Sequence, residues 1–495
     1  MTLPKQLASR VTALASVAAL IAAGILLNPE FKYTVGQQIP ASENQVQNPD
    51  LGLVCPGAAI RVGGADSSNL GSIEQVGSAE LNAQVSSQAT GFAVTRLSGL
   101  SDQSPSSLGA SLPARVAAPL LLTATDENLG PQGSWLVSGS QLQLQTADNF
   151  SGLLGAQCQL PSNLLEFVGG DSQLSRELLL VLTNPSRAES RAEILLHGKS
   201  GAVGNRVEPV IIAPGKTEVI ALGAYLANAT EIAVQVKASG AAIVGWLQQR
   251  VMRGTLPGGS DWIAPTTTAA KSQIVPGIMI RGVKDAREII KTNTNYSDQQ
   301  ALLRVYVPGK SQAKFTAQIF GATAKTFGTT ISDTVAGGTV RDFPLSALGD
   351  GDYAAFIDSD QPIQVAVKLP RTNKAKTPAT DFAWLPAQPK LAEQQTFVVP
   401  ASGISKLSLA NSGTEAVELT LGTQAAQAAG AAARIVLPAG STRVVELTAG
   451  ARMVLKSPAK ASVAATMIVD VDSAVAAIGI LDYANQPETL RVSVR

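Results

Sequence analysis

The chain has 495 residues, 38 Lys+Arg against 37 Asp+Glu, one histidine and two cysteines, and only 15% of it is charged and 4% aromatic. Its length excludes a single ordinary domain, because one hydrophobic core stops growing at about 250–300 residues. A formal charge of +1 leaves no field to collect nucleic acid or another polyanion, and a lone His with two Cys excludes a multi-ligand His/Cys metal site within one chain.

In chain order, the first element predicted is a membrane anchor. Lys5 and Arg10 precede an uncharged run from Val11 to Leu27, which Asn28, Pro29 and Glu30 end. At a rise of 1.5 Å per residue that run spans about 26 Å, within the range of a membrane-crossing helix. Ile25, Leu26 and Leu27 run straight into Asn28 with no A-x-A site, so the segment reads as an uncleaved signal anchor rather than a removable signal peptide. The basic residues before it assign 1–10 to the cytoplasm and everything after Asn28 to the outside, with 28–50 as a linker. Cys55 and Cys158 follow, an isolated pair in an extracytoplasmic chain. A disulfide between them is the simplest reading, two buried thiols the other.

Repetition organises the rest. Arg176–Gly198 aligns without a gap on Arg287–Gly309, and Leu407–Gly422 is a shorter copy; the alignment puts Asn184, Asn295 and Asn411 in one shared turn between two strands. Three segments, Gly215–Leu222, Gly338–Leu345 and Gly440–Leu447, keep one Gly-to-Leu spacing and predict the leucines at one core position, since a period-two strand fixes which side chains point inward. The stretch around Leu153–Gln159 resembles Ile243–Gln249, making the first region a diverged copy. A further recurrence, Asp261-Trp262 to Pro265 and Asp381 to Trp384 and Pro386, falls between units. Short apolar runs of period two between Gly, Pro and Asn turns predict an all-β fold of tandem immunoglobulin-like antiparallel β-sandwich domains at 51–165, 166–270, 271–390 and 391–495. No long amphipathic helix is expected between strands. Short helical turns fit at 163–167, 222–229 and 423–433.

The chemical motifs are weak. Gly198-Lys199-Ser200 and Gly215-Lys216-Thr217 lack the upstream glycine of a phosphate loop, having Glu193 and Val210 in its place, and read as turns. His197 is the only imidazole, at a strand end, and no G-x-S-x-G elbow accompanies it. The pairs Asp350/Asp352, Asp358/Asp360 and Asp470/Asp472 offer too few regularly spaced oxygens for a calcium loop. These readings assign no catalytic, cofactor or metal residue. Trp262 and Trp384 are read as buried aromatics packing between domains, with a sugar-binding platform as the other reading.

Together, the anchor, Cys55-Pro56-Gly57, Cys158 to Pro161, Phe167-Val-Gly-Gly170 and the strand and turn ending in Asn184-Pro185 resemble an actinobacterial family of membrane-anchored exported proteins classed as a domain of unknown function. That resemblance implies a high-GC Gram-positive envelope and no known activity. The expectation is a non-catalytic extracytoplasmic scaffold or binding protein in the plasma membrane, with an envelope protein or glycan as partner. A carbohydrate-binding accessory to cell-wall enzymes is the alternative. A hydrolase would need a carboxylate pair about 5 to 10 Å apart in a cleft.

Overall fold

The computed structural model describes residues 52–481 except 64–71, 86–90, 102–103, 110–114, 126–136, 147–149, 205–206, 324–325, 327 and 374–377. The expected anchor at 11–27 lies outside the described residues. Among the described residues no helix is long and apolar enough to cross a membrane.

The described residues are nearly all β, and their strand ladders are antiparallel. The strands fall into four modules, each of two facing layers. The first combines Leu53–Cys55, Leu120–Thr125, Gly91–Arg96 and Ser106–Gly109 with a sheet ordered Gly152–Gln157, Val137–Gln145, Ala79–Val85 and Arg115–Val116. In the second, Leu164–Val168, Ala233–Gly240 and Ser190–Gly198 face Thr217–Ala221, Arg176–Thr183, Val244–Arg253 and Leu256–Ile263. The third is built on the long strand Gly351–Thr372, which passes from one layer to the other. Its first half pairs with Ala270–Ile280 and Ala313–Gly321, its second with Leu302–Tyr306 and Thr380–Pro386. The fourth repeats the second, with Ser441–Glu446, Ile404–Asn411, Val463–Val471 and Ala474–Gly479 as one layer.

The modules share their cores in a closed cycle. Val54, Phe150 and Leu154 of the first pack with Leu179, Val181, Trp246 and Trp262 of the second. Phe167, Leu180 and Leu247 of the second join Tyr306, Ala366, Phe382 and Trp384 of the third. Leu303, Ile357 and Val367 of the third meet Ile468 and Val475 of the fourth, and Leu407, Leu419 and Met467 of the fourth meet Leu142 and Leu153 of the first. This explains the unbroken apolar run Leu178–Leu182. Its even positions fill the module's own core and its odd positions fill the seam with the first module, and a sheet buried on both faces needs no polar alternation. Where the seam is polar the alternation returns. On Leu302–Tyr306, Leu303 and Val305 face inward, while Arg304 donates from Nη1 to the Gly170 carbonyl at 2.6 Å and from Nη2 to that of Thr230.

The repeat alignment holds in part. Leu222, Leu345 and Leu447 are buried at 0%, 2% and 8% exposure, each at the end of a strand paired to its module's central strand. Asn184 and Asn411 occupy one turn. The Asn184 amide donates to the Ala188 and Ile212 carbonyls and its oxygen accepts from Ser186; the Asn411 amide donates to the Glu415, Leu437 and Pro438 carbonyls and its oxygen accepts from Gly413. Asn295 does not belong there. It is exposed in a 3-10 turn after a helix over Val283–Thr292, and the third module's equivalent of Asn184 is Val307, which pairs with Gly338 and Thr339 as Asn184 pairs with Gly215 and Lys216. Val283, Ala286, Ile289 and Ile290 have helical spacing, and the shared Arg-Glu and Thr-Asn letters hid it. Residues 164–168 form a strand rather than a helical turn, and Gly152–Gln157 is the last strand of its module whereas Val244–Arg253 is the penultimate strand of the second, so that resemblance matched non-equivalent strands.

Candidate functional site at the ring axis

The last strands of the four modules, Gly152–Gln157, Leu256–Ile263, Thr380–Pro386 and Ala474–Gly479, contact one another in a ring. Each pairs within its own module on one side only, so four sheet edges converge on one axis. Edge N–H groups buried there need acceptors, and side chains near the axis must be small. Gly152 and Gly259 adopt φ of +140° and +109°; a Cβ at Gly152 would lie 2.4 Å from Ser260 N, and one at Gly259 would lie 2.6 Å from Asp381 Oδ1.

Two fully buried carboxyls supply the acceptors. Asp381 Oδ2 accepts from Leu153 N at 2.9 Å and Val475 N at 3.0 Å, and Oδ1 accepts from Ser260 N at 3.1 Å. A single side chain of the third module therefore binds the backbone of each of the other three. Asp261 Oδ2 accepts from Trp384 N at 2.7 Å. Burial pushes Asp381 up to about 7 against the pull of its backbone donors. It also pushes Asp261 well above the usual carboxylate range, helped by the Asp381 charge. In the recurring segment it is the two aspartates, rather than the aromatics, that meet at the axis.

Above this junction lies an open cavity of about 410 Å³ between the hairpins of all four modules. Leu144, Leu256, Pro257, Ala379, Val471 and Ala474 are among its walls, and Leu144 and Leu256 are 49% and 43% exposed at its rim. Asp381 lines it and Asp261 does not.

The residues singled out from sequence lie elsewhere. Cys55 and Cys158 are disulfide-bonded with Cα atoms 4.3 Å apart, at the far end of the first axial strand. Trp262 and Trp384 are each 2% exposed. Trp262 packs in the seam with Trp246 and Phe150; Trp384 donates from Nε1 to Gln249 Oε1 at 3.0 Å and lies 4.5 Å below the Arg304 guanidinium. Neither presents a face to a sugar. His197 is half-buried rather than solvated, its Nδ1 3.2 Å from the Gly338 carbonyl and its ring on Tyr306, and burial lowers its pKa. Lys199 and Lys216 follow glycines in turns. Asp350, Asp360 and Asp470 bind Val283 N, Lys314 N and Arg371. No group of three or more His, Cys, Asp or Glu among the described residues is arranged to hold a metal.

A second polar cluster, unforeseen from sequence, locks the second module to the third. Asp298, just after the helix, takes two bonds from Arg253 at 2.7 and 3.0 Å and one from Arg176 at 2.9 Å, with Lys368 Nζ at 3.7 Å. Burial works to raise Asp298, but these cations hold its carboxyl far below the usual range, while burial lowers Lys368.

Comparison with known proteins adds a family and no activity. The profile described as "Family of unknown function (DUF5719)" matches residues 112–448. No curated protein matches the chain. Among solved structures, a tetra-tandem repeat from the extending region of a large adhesion protein aligns at 12% identity over 82% of this chain and 100% of that one, with a TM-score of 0.10, too low to bear on the fold.

Proposed function

The chain belongs to a family of unknown function, DUF5719, and we propose that it is a non-catalytic extracytoplasmic scaffold or binding protein of an actinobacterial cell envelope, held in the plasma membrane by residues 11–27. Its four modules are read as immunoglobulin-like sandwiches. The observation that carries this reading is the polarity of the ring. Leu53 and Leu481, near the two ends of the described chain, both pack on the core that holds Cys55 and Cys158. The apolar-rimmed cavity opens a strand length away, at the other end of Gly152–Gln157. On that reading the chain is joined to its anchor at the disulfide end, which leaves the cavity end free for a partner. Exposed leucines around a concave site are the usual marks of a contact surface.

The glycan alternative loses its argument with Trp262 and Trp384 buried. The axial carboxylates do not favour a hydrolase, because both oxygens of Asp381 are taken by backbone N–H groups and Asp261 is off the cavity wall.

Topology is tested by Leu144→Cys or Leu256→Cys in otherwise native protein. Both native thiols are in the disulfide, so a membrane-impermeant maleimide on intact cells reads the new one alone. Labelling without lysis is expected; labelling only after lysis removes the reading.

A further inference from the structure

The axial junction has a property that holds whatever the ring binds. Four sheet edges meet where ladder pairing between modules does not form. Donors from three modules converge on Asp381, while Asp261 accepts from the third. Charged groups on the surrounding elements are few. Gly152–Gln157 and Ala474–Gly479 carry none, and Leu256–Ile263 carries Asp261 alone. On the neighbouring strand Gly351–Thr372, Arg371 is opposite Asp381 in register, but its guanidinium is bound to Asp470 and the Met279 carbonyl. Lys368 lies over the Phe382 ring beside Asp298, and Arg253, whose Nε is 3.3 Å from Thr380 Oγ1, is committed to Asp298. Asp472 on the cavity wall adds only like charge. Among the described residues, the carboxyl pair therefore sits in a buried seam with no cation of its own.

We propose that Asp261 and Asp381 form a proton-held clasp, which keeps the four last strands together along the axis and releases them when both carboxyls ionise. With one proton on the pair, an ionised Asp381 gathers the Leu153, Ser260 and Val475 amides while a neutral Asp261 lies beside it. Loss of that proton leaves two buried like charges, a state that burial opposes most strongly. Both groups are pushed up by burial. Asp381's share of the stability is complete below the ordinary carboxylate range and is gone once pH has risen through about 7; the last proton is on Asp261, whose carboxyl burial and the Asp381 charge hold well above that range, and its loss is what releases the clasp. Nearby groups do not mimic this. His197 and Lys368 are both lowered by burial, so each gains folded stability as pH rises, the opposite sign.

The test uses the full chain in detergent between pH 6 and 9. The wild-type melting temperature is expected to fall with pH, and Asp261→Asn is expected to flatten that fall. Native-state hydrogen exchange locates the change. Corrected for base catalysis, protection of the Leu153, Ser260 and Val475 amides is expected to fall as pH rises, by up to about tenfold per pH unit for each carboxyl that is protonated in the closed ring and ionised in the open one, ahead of the Leu180 and Leu409 amides in the central strands. A wild-type melting temperature flat or rising over this range, or axial amides that lose protection only in step with Leu180 and Leu409, overturns the clasp. If Asp261→Asn does not fold, the wild-type exchange data decide alone.

Discussion

Replacing Asn184 or Asn411 by Ala should be among the costlier single changes to these modules, and replacing Asn295 should cost almost nothing. Asn184 is fully buried, and its side chain makes two bonds to carbonyls, at 2.7 and 2.8 Å, and accepts two from Ser186, at 3.0 Å from N and 2.8 Å from Oγ. Asn411, equally buried, makes three bonds to carbonyls and accepts one from Gly413. At roughly 0.5–1.5 kcal/mol net per bond, four bonds sum to about 2–6 kcal/mol. Some of the stranded groups lie near the surface, where water replaces the lost partner, so about 2–4 kcal/mol is expected. Asn184→Asp should not rescue, because it turns a carboxylate oxygen onto the Ala188 and Ile212 carbonyls. The assay is urea denaturation followed by far-UV circular dichroism, comparing midpoints and slopes. A loss under about 0.5 kcal/mol for Asn184→Ala, or a loss above about 1 kcal/mol for Asn295→Ala, would refute the register in which Val307 rather than Asn295 is the third equivalent.

How much of this was legible in the sequence depends on whether a feature is local. Period-two runs between glycine turns reported the strands, and the Gly-to-Leu spacing reported three buried leucines, because strand direction and turn placement are short-range. The helix at Val283–Thr292 reads wrongly as a strand on shared letters, although two apolar residues followed by Lys291 cannot continue a strand buried on both faces as Leu178–Leu182 does. Ring closure was not legible. It depends on four edges about a hundred residues apart, and the alanines and glycines that let them approach are ordinary in a chain this rich in both. The aspartates show the same limit. Asp261 and Asp381 recur in plain view, yet a carboxylate beside a turn reads as solvated until the structure shows three backbones aimed at it. Independent tandem domains were the natural expectation; cores shared across the seams mean that a lesion in one module reaches its neighbour.

Three further outcomes follow from single sites. Reducing the disulfide, or Cys55→Ser with Cys158→Ser, should lower stability by about 4–5 kcal/mol on the chain-entropy account for a closed loop of 103 residues, read as a drop in urea midpoint that is absent if the bond is dispensable. On the acid side, Asp298 is held below its ordinary value by Lys368, Arg253 and Arg176, so its contribution is present above about pH 4 and lost as pH falls further. Asp298→Asn should cost about 3–5 kcal/mol by leaving three buried cations short of their anion, and an acid-unfolding profile unchanged by it would remove that cluster from the stability of the seam. The sharpest structural test is Gly259→Ala. The backbone there has φ of +109°, which L side chains rarely adopt, and the added methyl would lie 2.6 Å from Asp381 Oδ1 and 2.7 Å from its Cα. Neither atom can retreat, since that oxygen already receives Ser260 N and the strand is paired to Gly351–Thr372. Gly254→Ala has φ of +63°, in the left-handed well, and open space around its Cβ, so it gives the cost of that well alone, of order 1 kcal/mol. The excess loss in Gly259→Ala over Gly254→Ala then contains the crowding at the axis together with the harsher backbone conformation at φ +109°, and equal losses would mean that the four strands do not meet as closely as the carboxylate bonds require.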